Sequence, residues 1–144
     1  SMNSSHEPVC DLKRAKTGIP FKCLLYRGQY KNITDHSRGI FYTPDLSTGS
    51  GYATSGSNLV TGRKGHLIKK ILRFENPYVC SGTSKAMMHL VNSGVVKAEV
   101  ARKLIERGIY AFPPGERLLA SGMRQLGYDA IIYNNGLDEV VDLR

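Results

Sequence analysis

The chain has 144 residues, 41% hydrophobic and 22% charged, with 20 Lys or Arg against 12 Asp or Glu and a formal charge of +8. One domain is expected, since a single core serves up to roughly 250 residues, and disorder as a whole-chain description is excluded. No apolar run approaches the ~20 residues of a membrane helix and no apolar signal core opens the chain, while the positive charge permits an acidic partner without naming one.

Ser1-Met2 reads as an expression remnant, and the chain as a domain that can have been excised. Residues 1–20 are polar and mixed in charge, and read as a loosely held arm ahead of a domain over 21–144. Phe21 to Arg27 is apolar and aromatic enough for a strand, closed by Gly28. A polar loop with Asn32, Thr34, Asp35 and Ser37 leads to a second strand over 39–43, stopped by Pro44. Asp45 or Ser47 can cap a short helix carrying Tyr52. Residues 54–65 are rich in Gly, Ser, Thr and Asn and read as a loop. Residues 66–74 read as a strand, ended by Asn76-Pro77 and continued by 78–80.

Residues 84–91 and 95–107 read as helices, the second with Val96, Val100, Leu104 and Ile105 on one face. Pro113-Pro114-Gly115 reads as a break before a helix over 116–126, capped by Gly127. Two strands, 129–133 and 139–143, flank an Asn134-Asn135-Gly136 turn. Strands first, helices in the middle and strands last make an α+β pattern rather than alternating βαβ units.

Three cysteines, Cys10, Cys23 and Cys80, cannot all pair and form no CxxC, so free thiols in a reducing compartment are expected. The four histidines show no ligand spacing, so no metal is expected.

Three places depart from what packing alone selects. Arg27 ends an apolar strand with Gly28 next to it, a guanidinium fork suited to a phosphate or diphosphate beside a backbone that a ligand can approach. The segment from Tyr42 to Tyr52 turns through small residues, leaving room for a flat ligand on a tyrosine face. Glu139 opens the last apolar strand, where a carboxylate can stabilise a developing cation. Together they describe a dinucleotide with a glycosidic bond to break, for which NAD is the obvious candidate. No Gly-x-Gly-x-x-Gly follows a strand, and no Walker A sequence is present.

The order Tyr26-Arg27-Gly28, then Gly39-Ile40-Phe41-Tyr42-Thr43-Pro44-Asp45 through Tyr52-Ala53, then Glu139-Val140-Val141 resembles the ADP-ribosyltransferase superfamily of bacterial toxins and poly(ADP-ribose) polymerases. Leu126-Gly127-Tyr128-Asp129-Ala130-Ile131-Ile132 is similar to the segment that precedes the glutamate strand in phage and bacterial members. The resemblance implies two small antiparallel sheets around an NAD cleft with flanking helices. It implies that Arg27 holds the NAD ribose or diphosphate, that Gly28 anchors the nicotinamide carboxamide through its backbone, and that Tyr52 stacks on the ring. Tyr42, or Phe41 one register earlier, falls at the second triad position, and Glu139 holds the nicotinamide-ribose hydroxyl. The toxin branch carries Ser-Thr-Ser where this chain has Tyr42-Thr43-Pro44, so Thr43 and the nearby hydroxyls of Ser47 and Ser50 join the NAD-binding set. Leu137 stands where arginine-directed members carry Gln or Glu.

The expected activity is mono-ADP-ribosyl transfer from NAD, with no metal, to a macromolecular acceptor, protein rather than nucleic acid, by a monomer without a membrane span. Such small domains fit a secreted bacterial effector or a phage-borne enzyme acting in a reducing cytoplasm. The rival readings are a non-catalytic binding module for an acidic protein or nucleic acid, and an NAD glycohydrolase.

Overall fold

In the computed structural model, residues 10–29, 34–46, 65–108, 112–136 and 138–144 are described. Strand β1, Phe21–Gln29, pairs antiparallel along its whole length with β3, His66–Phe74. β3 coincides with the strand expected from sequence, and β1 runs past Gly28 because β3 continues opposite it. The second sheet has the order β2 (Ile40–Tyr42), β6 (Glu139–Asp142), β5 (Ala130–Tyr133), β4 (Pro77–Cys80). Three helices, α1 (Thr83–Asn92), α2 (Ala98–Glu106) and α3 (Pro113–Gln125), lie between β4 and β5 in the chain. The molecule is thus α+β with two small sheets.

The expectation of purely antiparallel sheets is corrected. β4 and β5 run parallel, with Tyr78 opposite Ile131. Parallel neighbours need a long crossover, which the three helices supply.

Side-chain alternation sorts the four-stranded sheet into two faces. Ile40, Tyr42, Ala130, Ile132 and Val140 share a core with Cys23, Leu25 and Phe74 of the β1–β3 ribbon. Ile131, Tyr133, Val141 and Leu143 share the other with helix residues such as Met87, Leu90, Leu119 and Met123.

In the second half of the expected arm most residues are exposed, and a few anchor it to the ribbon. Leu12 and Ala15 are buried in the ribbon core, and the Gly18 amide donates to Pro77 O at 2.9 Å. Cys10 is bonded to Cys23, with Cα atoms 5.1 Å apart, and Cys80 alone is free. The expectation of free thiols is corrected for this pair. Cys23 faces the ribbon core, and the turn over 12–14 brings Cys10 back over it.

Two helix expectations change. Pro113 and Pro114 occupy the first turn of α3, where the missing N–H groups have no helical partner to lose. α2 begins at Ala98, so Val96 is buried ahead of it, Ala101 is its buried residue, and Val100 and Ile105 are exposed. Ile105 lines, with Met88, Val91, Ala98 and Ala101, an apolar groove of about 200 Å³ between α1 and α2.

Gly39 sets the entry to β2. It holds φ +79°, and a Cβ there would collide with Val141 Cγ1 and lie 3.1 Å from Asp142 O. Gly39→Ala is expected to cost roughly 2–3 kcal/mol from the left-handed backbone and the clash together. A thermal melt should show the loss as a Tm lower by about 8–12 °C.

Candidate functional site

The two sheets meet at one bridge. The Tyr26 amide donates to Thr43 O and the Thr43 amide to Tyr26 O, both at 2.8 Å. A continuing ladder would next pair Gly28 with Phe41, since alternate residues turn their backbone groups to the same side. It does not continue among the described residues. The Phe41 carbonyl instead accepts from Arg27 Nη1 at 2.8 Å. The strands part there, and the Gly28 amide and carbonyl face the opening.

Arg27 follows Cys23 and Leu25 along β1 and lies on the ribbon side with Tyr42. Burial lowers the tendency of its guanidinium to hold charge, the Tyr42 hydroxyl opposes that, and Arg38 adds to it. Arg27 Nε donates to Gln29 Oε1 at 3.2 Å. Burial raises the Tyr42 phenol, and the Asp142 carboxylate adds to the rise.

Glu139 lies on the helix side of the sheet. It opens β6 opposite Tyr133, and the β2–β6 register, in which Tyr42 faces Val140, places it level with Thr43. It is therefore two strands from β1, about 10 Å across, and two residues, about 7 Å, from the level of Phe41. Asp138 before it holds φ 47°, rare outside glycine, and its carbonyl accepts from Thr43 Oγ1 at 3.4 Å. Burial pushes the Glu139 carboxyl up to about 7, and the charge of Glu116 adds to it.

Sequence reasoning missed Glu116. It sits in the first turn of α3, with its amide donating to Phe112 O at 2.9 Å. Its carboxylate pairs with Arg38 Nε at 3.7 Å. Burial raises the Glu116 carboxyl, and Arg38 and Arg117 pull it back. Glu116 thus pairs with Arg38, and its charge bears on Glu139. An acid in a first helical turn is commonplace, so only the fold distinguishes this one. Arg38 is set by its turn. Arg124 of α3 donates to His36 O at 2.6 Å and, through Nε, to Leu143 O at 2.7 Å.

No family model, curated protein or solved structure matches this chain.

Of the residues singled out in the sequence, Arg27 and Tyr42 meet on the ribbon side, while Phe41, Thr43 and Glu139 belong to the helix side. Gly28 stands between, at the opening. Ser47, Ser50 and Tyr52 lie outside the described residues, as do the helix expected to carry Tyr52, most of the 54–65 loop, and Leu137. Burial pushes the Cys80 thiol up to about 11, which favours the protonated thiol at neutral pH. Among the described residues no group of three His, Cys, Asp or Glu could hold a metal, and no helix is long and apolar enough to cross a membrane.

Proposed function

We propose that the protein is an NAD-dependent mono-ADP-ribosyltransferase with an ADP-ribosyltransferase-like fold, working as a monomer on a macromolecular acceptor. One observation carries the reading: β1 and β2 separate immediately after their single bridge, turning the Gly28 backbone into the gap, with a half-buried Glu139 level with that bridge. An amide and a carbonyl on one residue, turned to the opening with no cross-strand partner there among the described residues, match the acceptor and donor of a carboxamide, as the family resemblance assigns to Gly28.

In this reading the bond between nicotinamide nitrogen and ribose C1′ breaks, and its electron pair leaves with nicotinamide. The ribose becomes cationic at C1′, and the ionised Glu139 faces that charge. The site's contribution is then electrostatic, stronger in the transition state than in the ground state. The acceptor nucleophile bonds to C1′ and its proton passes to solvent water. Arg27, held at the strand edge by Phe41 O, steers the diphosphate.

One observation favours the non-catalytic rival: Arg27 already spends donors on Phe41 O and Gln29 Oε1. Nicotinamide release from labelled NAD, measured with and without a cell lysate, separates the readings. Release with a labelled macromolecule supports transfer. Release without one points to hydrolysis, and neither binding nor release of NAD leaves the binding module.

A further inference from the structure

β4 is an edge strand of its sheet, and an edge offers N–H and C=O groups to any chain that comes alongside. Here residues 10–20, tied to β1 by the Cys10–Cys23 bond, supply the partners. Thr17 Oγ1 accepts from the Val79 amide at 2.9 Å and donates to Val79 O at 3.4 Å, as one residue of a neighbouring strand would. The Gly18 amide donates to Pro77 O at 2.9 Å. Little else fastens the segment. Asp11, Lys13, Arg14 and residues 16–20 are exposed, and only Leu12 and Ala15 within it are buried.

We propose that the Cys10–Cys23 bond is a redox latch: a dithiol reductant cuts it, residues 10–20 come off the fold, and the β4 edge is uncovered. The two cysteines differ in a way that suits this. Cys10 is partly exposed, while Cys23 is fully buried in the core that holds Leu25 and Phe74. One reductant thiol loses its proton to water, and the thiolate attacks Cys10 Sγ. The S–S bond breaks, and Cys23 leaves as a thiolate that takes a proton from water. The second reductant thiol, deprotonated in the same way, attacks the mixed disulfide and frees Cys10, which is protonated in turn. Two electrons pass to the protein, which gains two thiols, and the reductant ends as a disulfide.

The fold accommodates the cut state. A buried free cysteine behaves as a small apolar side chain, and Leu24 O lies 3.6 Å from Cys23 Sγ, within reach of the S–H that reduction creates. Cys80 packs on the helix side of the sheet, across from the ribbon core, so it offers Cys23 no alternative bond. The segment does not hold without its bond. Ordering its backbone costs more than two buried side chains, one of them alanine, and a few exposed hydrogen bonds return. The single turn over 12–14 adds too little to change that. The β1–β3 ladder and the Tyr26–Thr43 bridge do not pass through residues 10–20, so they survive the release. The inference goes beyond the proposed reaction and does not depend on it.

The test compares air-oxidised protein with the same protein in excess dithiothreitol at neutral pH, the thiols being counted by mass after alkylation of a quenched sample. Trypsin should cut after Lys13, Arg14 and Lys16 at least about tenfold faster in the reduced form, since a protease needs a stretch of chain free of the fold. Hydrogen exchange at the Gly18 and Val79 amides should accelerate at least about tenfold more than at Ile131 and Ile132 of β5. The far-ultraviolet circular dichroism of the sheets should persist. Cys10→Ser should match the reduced protein and ignore dithiothreitol, and reduced wild-type protein carries the measurement if that variant does not fold. Equal acceleration in β5 would make the bond a staple of the whole fold. Unchanged cutting and exchange with both thiols present would mean that the segment holds without it. A bond that dithiothreitol leaves intact in the folded protein, or free Cys10 and Cys23 before any reductant is added, would remove the latch. Each of these outcomes overturns the proposal.

Discussion

Glu139→Gln is expected to slow nicotinamide release by about 10²–10³-fold or more while leaving the fold intact. The size follows from removing a preorganised, half-buried charge aimed at a developing cation. Glutamine keeps the volume and can still bond a hydroxyl, so binding of NAD should change little while turnover collapses. That split, kcat lost with KM nearly kept, marks a transition-state role. The strands on either side of Glu139 do not depend on its charge, since Val140 and Val141 anchor β6 in both cores. Wild-type turnover in this variant would remove Glu139 from the mechanism.

A pH dependence follows from the same carboxyl. Burial, and then Glu116, lift it to about 7, above its ordinary value of 4.5. The folded protein therefore holds this proton more tightly than the unfolded chain. The resulting stability is complete below about 4.5 and is lost as pH rises through 7. With the screening due to a partly exposed group discounted, the loss is of order 2 kcal/mol. Glu139→Gln should flatten this segment, so the Tm difference between acid and mildly alkaline buffer shrinks. Activity runs the other way, since the ionised carboxylate is the useful form, and turnover should climb across pH 7.

Glu116→Gln tests the coupling. It deletes the neighbouring negative charge, so Glu139 should ionise at lower pH, and turnover below neutrality should rise about two- to fivefold. Burial is the larger cause and stays, so the inflection should not return to that of a free glutamate. A profile unmoved by Glu116→Gln would mean that the two carboxylates do not sense each other. Removing Glu116 also unpairs Arg38, and a modest fall in Tm should accompany the change.

Local chemistry made much of the framework legible. The run from His66 to Phe74 is strand-forming throughout and bounded by Gly65 and the Asn76-Pro77 pair, and its observed limits are those expected. The β5–turn–β6 unit was marked by Asn134-Asn135-Gly136 between apolar runs. The start of α3 was misplaced because Pro113-Pro114-Gly115 breaks a helix interior yet suits a first turn, a distinction of position rather than composition. The α2 stripe held at Leu104, which packs on the core, and failed at Val100 and Ile105, because a helix beginning at Ala98 cannot include Val96 in its period.

What the sequence by itself determined was the order and kind of the elements, the charge excess and the residue types at the strand ends, all set by interactions over a few residues. The tertiary structure alone decided that Cys10 reaches Cys23, that β4 and β5 run parallel, that the ladder stops after Tyr26 and Thr43, and that Glu116, paired with Arg38, lies close enough for its charge to act on Glu139. Those facts depend on register between strands as distant as Ile40 and Asp142. Register is selected by the whole buried face at once, since a slip of one residue turns every side chain to the wrong side.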